Sequence, residues 1–102
     1  MITIKVNDEN LSIESEGHAG FAEKGKDIVC AAVTILLYTY EEMLDELEVE
    51  TDILDDGWFH DIVPRRPWDA GIKAETAYWM AKTGLQMLAE HFRDNLIIQD
   101  HY

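Results

Sequence analysis

Cys30 is the sole cysteine of the chain, and it stands three residues after Asp27, a good helix N-cap, where an apolar run begins. Unpaired amide N–H groups and the positive end of a helix dipole at such a position favour a thiolate, the form a nucleophile needs. The same amides would then steady an oxyanion. His18 lies twelve residues earlier, between Gly17 and Ala19, and a loop folding back on its own helix end can bring imidazole to sulfur. Small neighbours permit close backbone approach there. Each of these residues also has an ordinary reading. Free cysteine is among the most buried residue types, and Ile28-Val29-Cys30-Ala31-Ala32-Val33 reads as core. A lone loop histidine is most often solvated, and Asp27 serves either as a plain cap or as the group that orients His18. Spacing alone leaves these alternatives open.

Other chemistries lack their residues. A tyrosine-phosphatase loop needs arginine six positions after its cysteine, and Leu36 stands there. The chain has no C-x-x-C pair, no G-x-x-x-x-G-K-[ST] cradle and no H-E-x-x-H helix. His60, His91 and His101 are scattered without ligand spacing, so neither a metal nor a cofactor is expected. Asp55 and Asp56 suit a turn better than a divalent ion. The segment from Trp58 to Trp68 carries Arg65 and Arg66, and it reads equally as a recognition loop or as aromatic cover for the sheet. Glu41, Glu42, Asp45, Glu46, Glu48 and Glu50 read as the solvated end of a helix.

Positioning such a site falls to the surrounding elements. Ile2, Ile4 and Val6 alternate with polar residues, Asn7 to Asn10 supplies turn chemistry, and Leu11, Ile13 and Ser15 alternate again, which predicts a hairpin. From Gly17 to Lys26, through Gly20 and Gly25, no period of 2 or 3.6 persists. This loop is expected to be poorly ordered or unproductive in the free protein and to close over a bound peptide. Ile28, Val29, Val33, Leu36, Leu37, Tyr40, Met43, Leu44 and Leu47 predict a central, largely buried helix from Asp27 to Leu47. Val49 to Ile53, the turn Asp55-Asp56-Gly57 and Trp58 to Val63 make a second hairpin that Pro64 stops. Ala74, Ala77, Tyr78, Ala81, Leu85, Leu88, Ala89 and Phe92 predict a helix from Lys73 to Arg93, and Leu96 to Gln99 predicts a last strand. The order is β-β-α-β-β-α-β, an α+β fold in which a mainly antiparallel sheet carries two helices on one face.

At 102 residues, 47% apolar and 28% charged, residues 1–102 are expected to form one domain with a single core. Against 21 acidic side chains stand 8 basic ones, a net charge of −13 that repels nucleic acid and anionic membrane and attracts a basic protein. The longest nearly uncharged stretch, Ile28 to Tyr40, falls short of the roughly 20 residues a membrane-spanning helix needs. A single cysteine, with no basic-then-apolar leader, points to the cytoplasm.

Gly17-His18-Ala19-Gly20-Phe21-Ala22, followed by Gly25-Lys26-Asp27-Ile28-Val29-Cys30-Ala31-Ala32-Val33, resembles the signature of the ribosomal-processing cysteine proteases, the Prp family of Firmicutes and relatives. The pattern from Gly84-Leu85 to Phe92 in the last helix is similar too. The resemblance implies a protease that removes a short N-terminal extension from large-subunit ribosomal protein twenty-seven, a basic protein substrate. By position it makes Cys30 the nucleophile, His18 its base and Asp27 the family's acidic residue just before the cysteine. Gly17, Ala19, Gly20 and Gly25 fall in the substrate loop. It further implies a metal-free homodimer. Thr34 replaces the serine usual four residues after the cysteine, and the Trp58 to Trp68 segment is unlike the family. A divergent or phage-encoded member that trims a capsid or scaffold protein would carry the same catalytic motif. The rival from another class is a noncatalytic acidic module, with Cys30 in its core, that binds a basic protein.

Overall fold

In a computed structural model the chain forms β1 (Ile2–Asn7), β2 (Ser12–Gly17), α1 (Ile28–Glu46), β3 (Thr51–Asp55), β4 (Phe59–Pro64), α2 (Ile72–His91) and β5 (Leu96–Asp100). Residues 1–23 and 25–100 are described; Lys24 of the expected loop, His101 and Tyr102 lie outside them. The five strands make one sheet in the order β3-β4-β2-β1-β5. Neighbours are antiparallel except β1 and β5, which pair in parallel from Ile2↔Leu96 to Val6↔Asp100. β2 and β3 thus run one way and β4 and β5 the other, so each helix is a crossover between strands of like direction. The two crossovers move in opposite directions across the sheet, and right-handed connections therefore place both helices on the same face.

That face carries Ile2, Ile4, Val6, Ile13, Ile62 and Leu96, all buried, as the alternation of period two requires. α1 sets Val29, Val33, Leu37, Tyr40 and Leu44 against it, and α2 adds Ala74, Tyr78, Ala81 and Leu85. The helices meet closely at Gly84, where a Cβ would lie 2.8 Å from Leu36 Cδ2. The Tyr40 hydroxyl donates to the Leu11 carbonyl at 2.6 Å and closes the β1–β2 turn over the core. Among the described residues no helix is long and apolar enough to cross a membrane.

Several expectations are corrected. α1 is not largely buried, since Ile28 and Ile35 are 59% and 63% exposed; a helix seated on a sheet hides only one stripe. β2 begins at Ser12 because Leu11, at φ +55°, belongs to the turn, and β3 begins at Thr51 because Glu48, at φ +59°, is still leaving α1. Pro64 is the last paired residue of β4, opposite Thr51, where the missing N–H ends the ladder. A short 3-10 turn, Pro67–Asp69, precedes α2, and α2 spans Ile72–His91 where Lys73 to Arg93 was expected, since the backbone at Phe92 leaves helical geometry. Trp58 and Trp68 are 62% and 81% exposed, so neither covers the sheet.

Candidate active site

Gly17 ends β2 opposite Ile2. Its φ of +97°, and a Cβ that would stand 2.5 Å from the Met1 carbonyl oxygen, admit only glycine. His18 follows at the surface, with its ring edge-on to Trp58 at 4.4 Å between centroids. The Gly17 N–H donates to the Trp58 carbonyl at 2.9 Å, so the β3–β4 turn flanks the histidine twice. Asp56 Oδ1 builds that turn by accepting from the Trp58 and Phe59 N–H groups at 3.3 and 2.9 Å. Ala19 is buried; its N–H donates to Cys30 Sγ at 3.4 Å, and its carbonyl accepts from Asn95 Nδ2 at 3.0 Å. Gly20 and Gly25 lie farther along at positive φ, and Phe21 meets Phe92 edge-on at 5.3 Å.

Asp27 joins this loop to the helix. Its Oδ1 accepts from the Val29 and Cys30 N–H groups, both at 3.0 Å, while Oδ2 accepts from those of Phe21 and Ala22 at 3.0 and 3.4 Å. Desolvation alone would raise the Asp27 pKa, but the four N–H donors outweigh it and hold the carboxyl below its ordinary value. Of the two roles open to Asp27, the geometry displays the cap and adds a clamp on the loop. One expectation is narrowed here: of the helix-start amides expected to steady an oxyanion, those of Val29 and Cys30 are already engaged by Oδ1 and that of Ala31 by the Asp27 carbonyl.

Cys30 is half-buried on the flank of the α1 stripe and opens, together with His18, Asp27, Thr34, Tyr38 and Trp58, into a cavity of about 720 Å³. Cys30 packs against the core from this flank while also lining the cavity. The two candidate catalytic side chains share this cavity, yet among the described residues no hydrogen bond joins imidazole to sulfur. The loop expected to be poorly ordered is tied at Ala19, Phe21 and Ala22, with His18 resting on Trp58.

The cavity continues along α1 to Tyr38, Asp55 and His60. The Tyr38 hydroxyl donates to Asp55 Oδ2 at 2.8 Å, a bond that raises the Tyr38 pKa, and His60 Nε2–H donates to Glu41 Oε1 at 3.0 Å. Sequence reading gave Asp55 to a turn and Glu41 to a solvated face. These partners lie 17 and 19 residues apart, and Asn95 reaches Ala19 across 76, so no local pattern could have disclosed them. Among the described residues no three His, Cys, Asp or Glu side chains converge as a metal site needs.

The family described as cysteine protease Prp matches residues 1–97. The ribosomal processing cysteine protease Prp of Bacillus subtilis is 34% identical over 97 residues, covering 84% of this chain and 81% of that protein. The protein of the same name in Mycoplasma genitalium is 51% identical over 35 residues, 34% of this chain and 35% of that one. The crystal structure of Prp from S. aureus, an essential ribosomal processing protease in complex with a covalently linked product peptide, covers 99% of this chain and 100% of its own at TM-score 0.89 and 23% identity, a likeness of fold. Order and packing of all seven elements agree with that fold. Sequence and architecture thus agree over almost the full length, and the chain belongs to the Prp family of cysteine proteases.

Proposed function

We propose that the protein removes the N-terminal extension of large-subunit ribosomal protein twenty-seven, with Cys30 as nucleophile and His18 as general base. The observation that carries this reading is that both side chains open into one cavity at the start of α1, with the Ala19 N–H already on Sγ. His18 takes the thiol proton, the Sγ–C bond forms at the peptide carbonyl, and an oxyanion develops beside Sγ. With the Val29 and Cys30 amides engaged, the Ala19 N–H is the donor at hand for it. Collapse breaks the C–N bond, the imidazolium protonates the leaving amine, and water hydrolyses the thioester with His18 again as base. For this the imidazole must come within hydrogen-bond reach of Sγ, a movement that peptide contacts with the loop would drive.

The net charge of −13 suits a substrate whose body is strongly basic, as ribosomal proteins are. Action in the cytoplasm as a homodimer completes the proposal; exposed Ile72, Met80 and Met87 on α2 support self-association, and sedimentation should give twice the chain mass. Incubation with the extended ribosomal-protein-twenty-seven precursor should release the extension, and Cys30→Ala should abolish release. Release by that variant would end the cysteine mechanism. An inert precursor beside a thiol that iodoacetamide labels readily would direct the search to another substrate, such as a capsid or scaffold protein.

A further inference from the structure

We propose that the Tyr38–Asp55 end of the cavity is a subsite for a cationic side chain, lysine or arginine, about three or four residues from the bond that is cut. This rests on the cavity being the protease cleft proposed above. The cavity follows α1 from Cys30 to Tyr38, about 12 Å of helix. An extended peptide rises about 3.3 Å per residue, so one lying along α1 with its reacting carbonyl at Sγ brings its third or fourth neighbour to Tyr38.

The polar groups at that end with capacity to spare are acceptors. The Tyr38 hydroxyl occupies Asp55 Oδ2 at 2.8 Å and pins the carboxylate across the gap between α1 and β3, while Oδ1 has no donor among the described residues. His60, whose ring lies 5.1 Å from that of Tyr38, fixes Glu41 in the same way and leaves Oε2. Asp55 is thus a carboxylate held in place at the end of a defined cleft, and Glu41 adjoins it only through the lining residue His60. No lysine or arginine lines the cavity among the described residues, and Lys26 and Arg65 pair with other acids, Glu23 and Asp52. An ammonium or guanidinium entering here gains a charge-assisted hydrogen bond that a neutral or acidic side chain cannot make. Ile35 and Phe59 offer apolar wall for its methylene stem. Because Asp55 is exposed, the preference should be modest and sensitive to salt.

The test is binding of fluorescein-labelled peptides spanning the precursor junction to the full-length Cys30→Ala protein, which needs no cleavage. A single lysine, norleucine or glutamate is scanned over four positions on each side of the junction. Lysine at one position three or four residues out should bind about fivefold more tightly than norleucine. The gain should fade in 1 M salt, vanish in Asp55→Asn, and persist in Glu90→Gln, which removes a charge from α2. Asparagine still accepts from Tyr38, and Tyr38→Phe, which unpins Asp55, should reduce the gain without touching its charge. No binding of any peptide, equal gains at every position, or a gain that survives Asp55→Asn would overturn the subsite. Position-specific lysine binding without cleavage by the unaltered protein would refute the proposed reaction and leave the subsite standing; cleavage without lysine preference would do the reverse.

Discussion

Asp27 and Asp8 stand at opposite ends of the sheet, both with carboxyl pKa values below the ordinary one, and they are held there by different kinds of partner. Asp27 is surrounded by four backbone N–H groups, two of them from the loop. Asp8, in the β1–β2 turn, accepts on Oδ1 from Lys82 Nζ at 2.8 Å and from the Tyr78 hydroxyl at 2.6 Å. The Lys82 bond does most to lower its pKa, the Tyr78 bond next, against the opposing effect of desolvation. Lys82 is buried, lies 3.6 Å from Asp100 on β5 and stands 4.7 Å over the Trp79 ring. Desolvation would lower its pKa, but its acidic partners prevail and raise it. The far end is thus a side-chain lock joining α2, β5 and the first turn. At the site end, loop amides are held by a carboxylate and a thiol, contacts that a peptide can exchange for its own. The buried charged contact lies where no chemistry is proposed.

The sharpest way to break this contrast is His18→Ala. Loss of a general base should lower kcat on the precursor by about 10²–10⁴-fold. The melting temperature should not move, because His18 is exposed and its ring packs on Trp58, itself exposed. A clear drop in melting temperature would show that the histidine braces the fold and that the two ends are not divided as described.

Lys82→Ala should do the opposite. Removing the ammonium strands a hydrogen-bonded carboxylate and costs about 1–3 kcal/mol in urea unfolding, with kcat unchanged well below the melt. The Asp8 contribution is present above its unfolded pKa and is lost as pH falls through the lowered folded value. The Lys82 contribution is present below its unfolded pKa and is lost as pH rises through the raised folded value. The difference between the two proteins should therefore be flat from about pH 5 to 9 and shrink on either side. A deficit that peaked in acid would assign the lock to other groups.

The two ends were also unequally legible in the sequence. His18, Asp27 and Cys30 lie within thirteen consecutive positions, and the helix start that carries the thiol follows from a cap and a period, both local signals. Element order was legible for the same reason. Lys82 sits among Tyr78, Ala81 and Leu85 on the apolar stripe of α2, where a lysine is ordinarily taken to flank the core with its charge in water. Its partner Asp8 is 74 residues away, and only the assembled sheet brings the two together. The parallel pairing of β5 with β1 and the contact of Trp58 with His18 are equally nonlocal. The Asp27 cap is legible in the sequence, but its consequence for the oxyanion needs the geometry: one carboxylate that caps a helix also occupies the Val29 and Cys30 donors that an open helix start would offer.

Asp27→Asn should have the smallest effect and separates the two tasks of that residue. Asparagine caps helices about as well as aspartate, so its carbonyl can keep the Val29 and Cys30 amides. The amide nitrogen that replaces Oδ2 is a donor facing the Phe21 and Ala22 N–H groups, and the clamp on the loop is lost. Stability at pH 7 should fall by about 0.5 kcal/mol, the worth of a charge at a helix start. KM should rise with kcat nearly kept, since the peptide must then order a looser loop. Hydrogen exchange should quicken at Phe21 and Ala22 and stay slow at Val29 and Cys30; equal quickening at all four would show that cap and clamp are one unit. The contribution of ionised Asp27 is present above its unfolded pKa of about 3.9 and is lost as pH falls through the lower folded value, so the stability curves of the two proteins should converge in acid. Curves that ran parallel down to pH 2 would mean that the charge of Asp27 does not hold the loop, and the site end would then owe its shape to its other hydrogen bonds, at Gly17, His18 and Ala19.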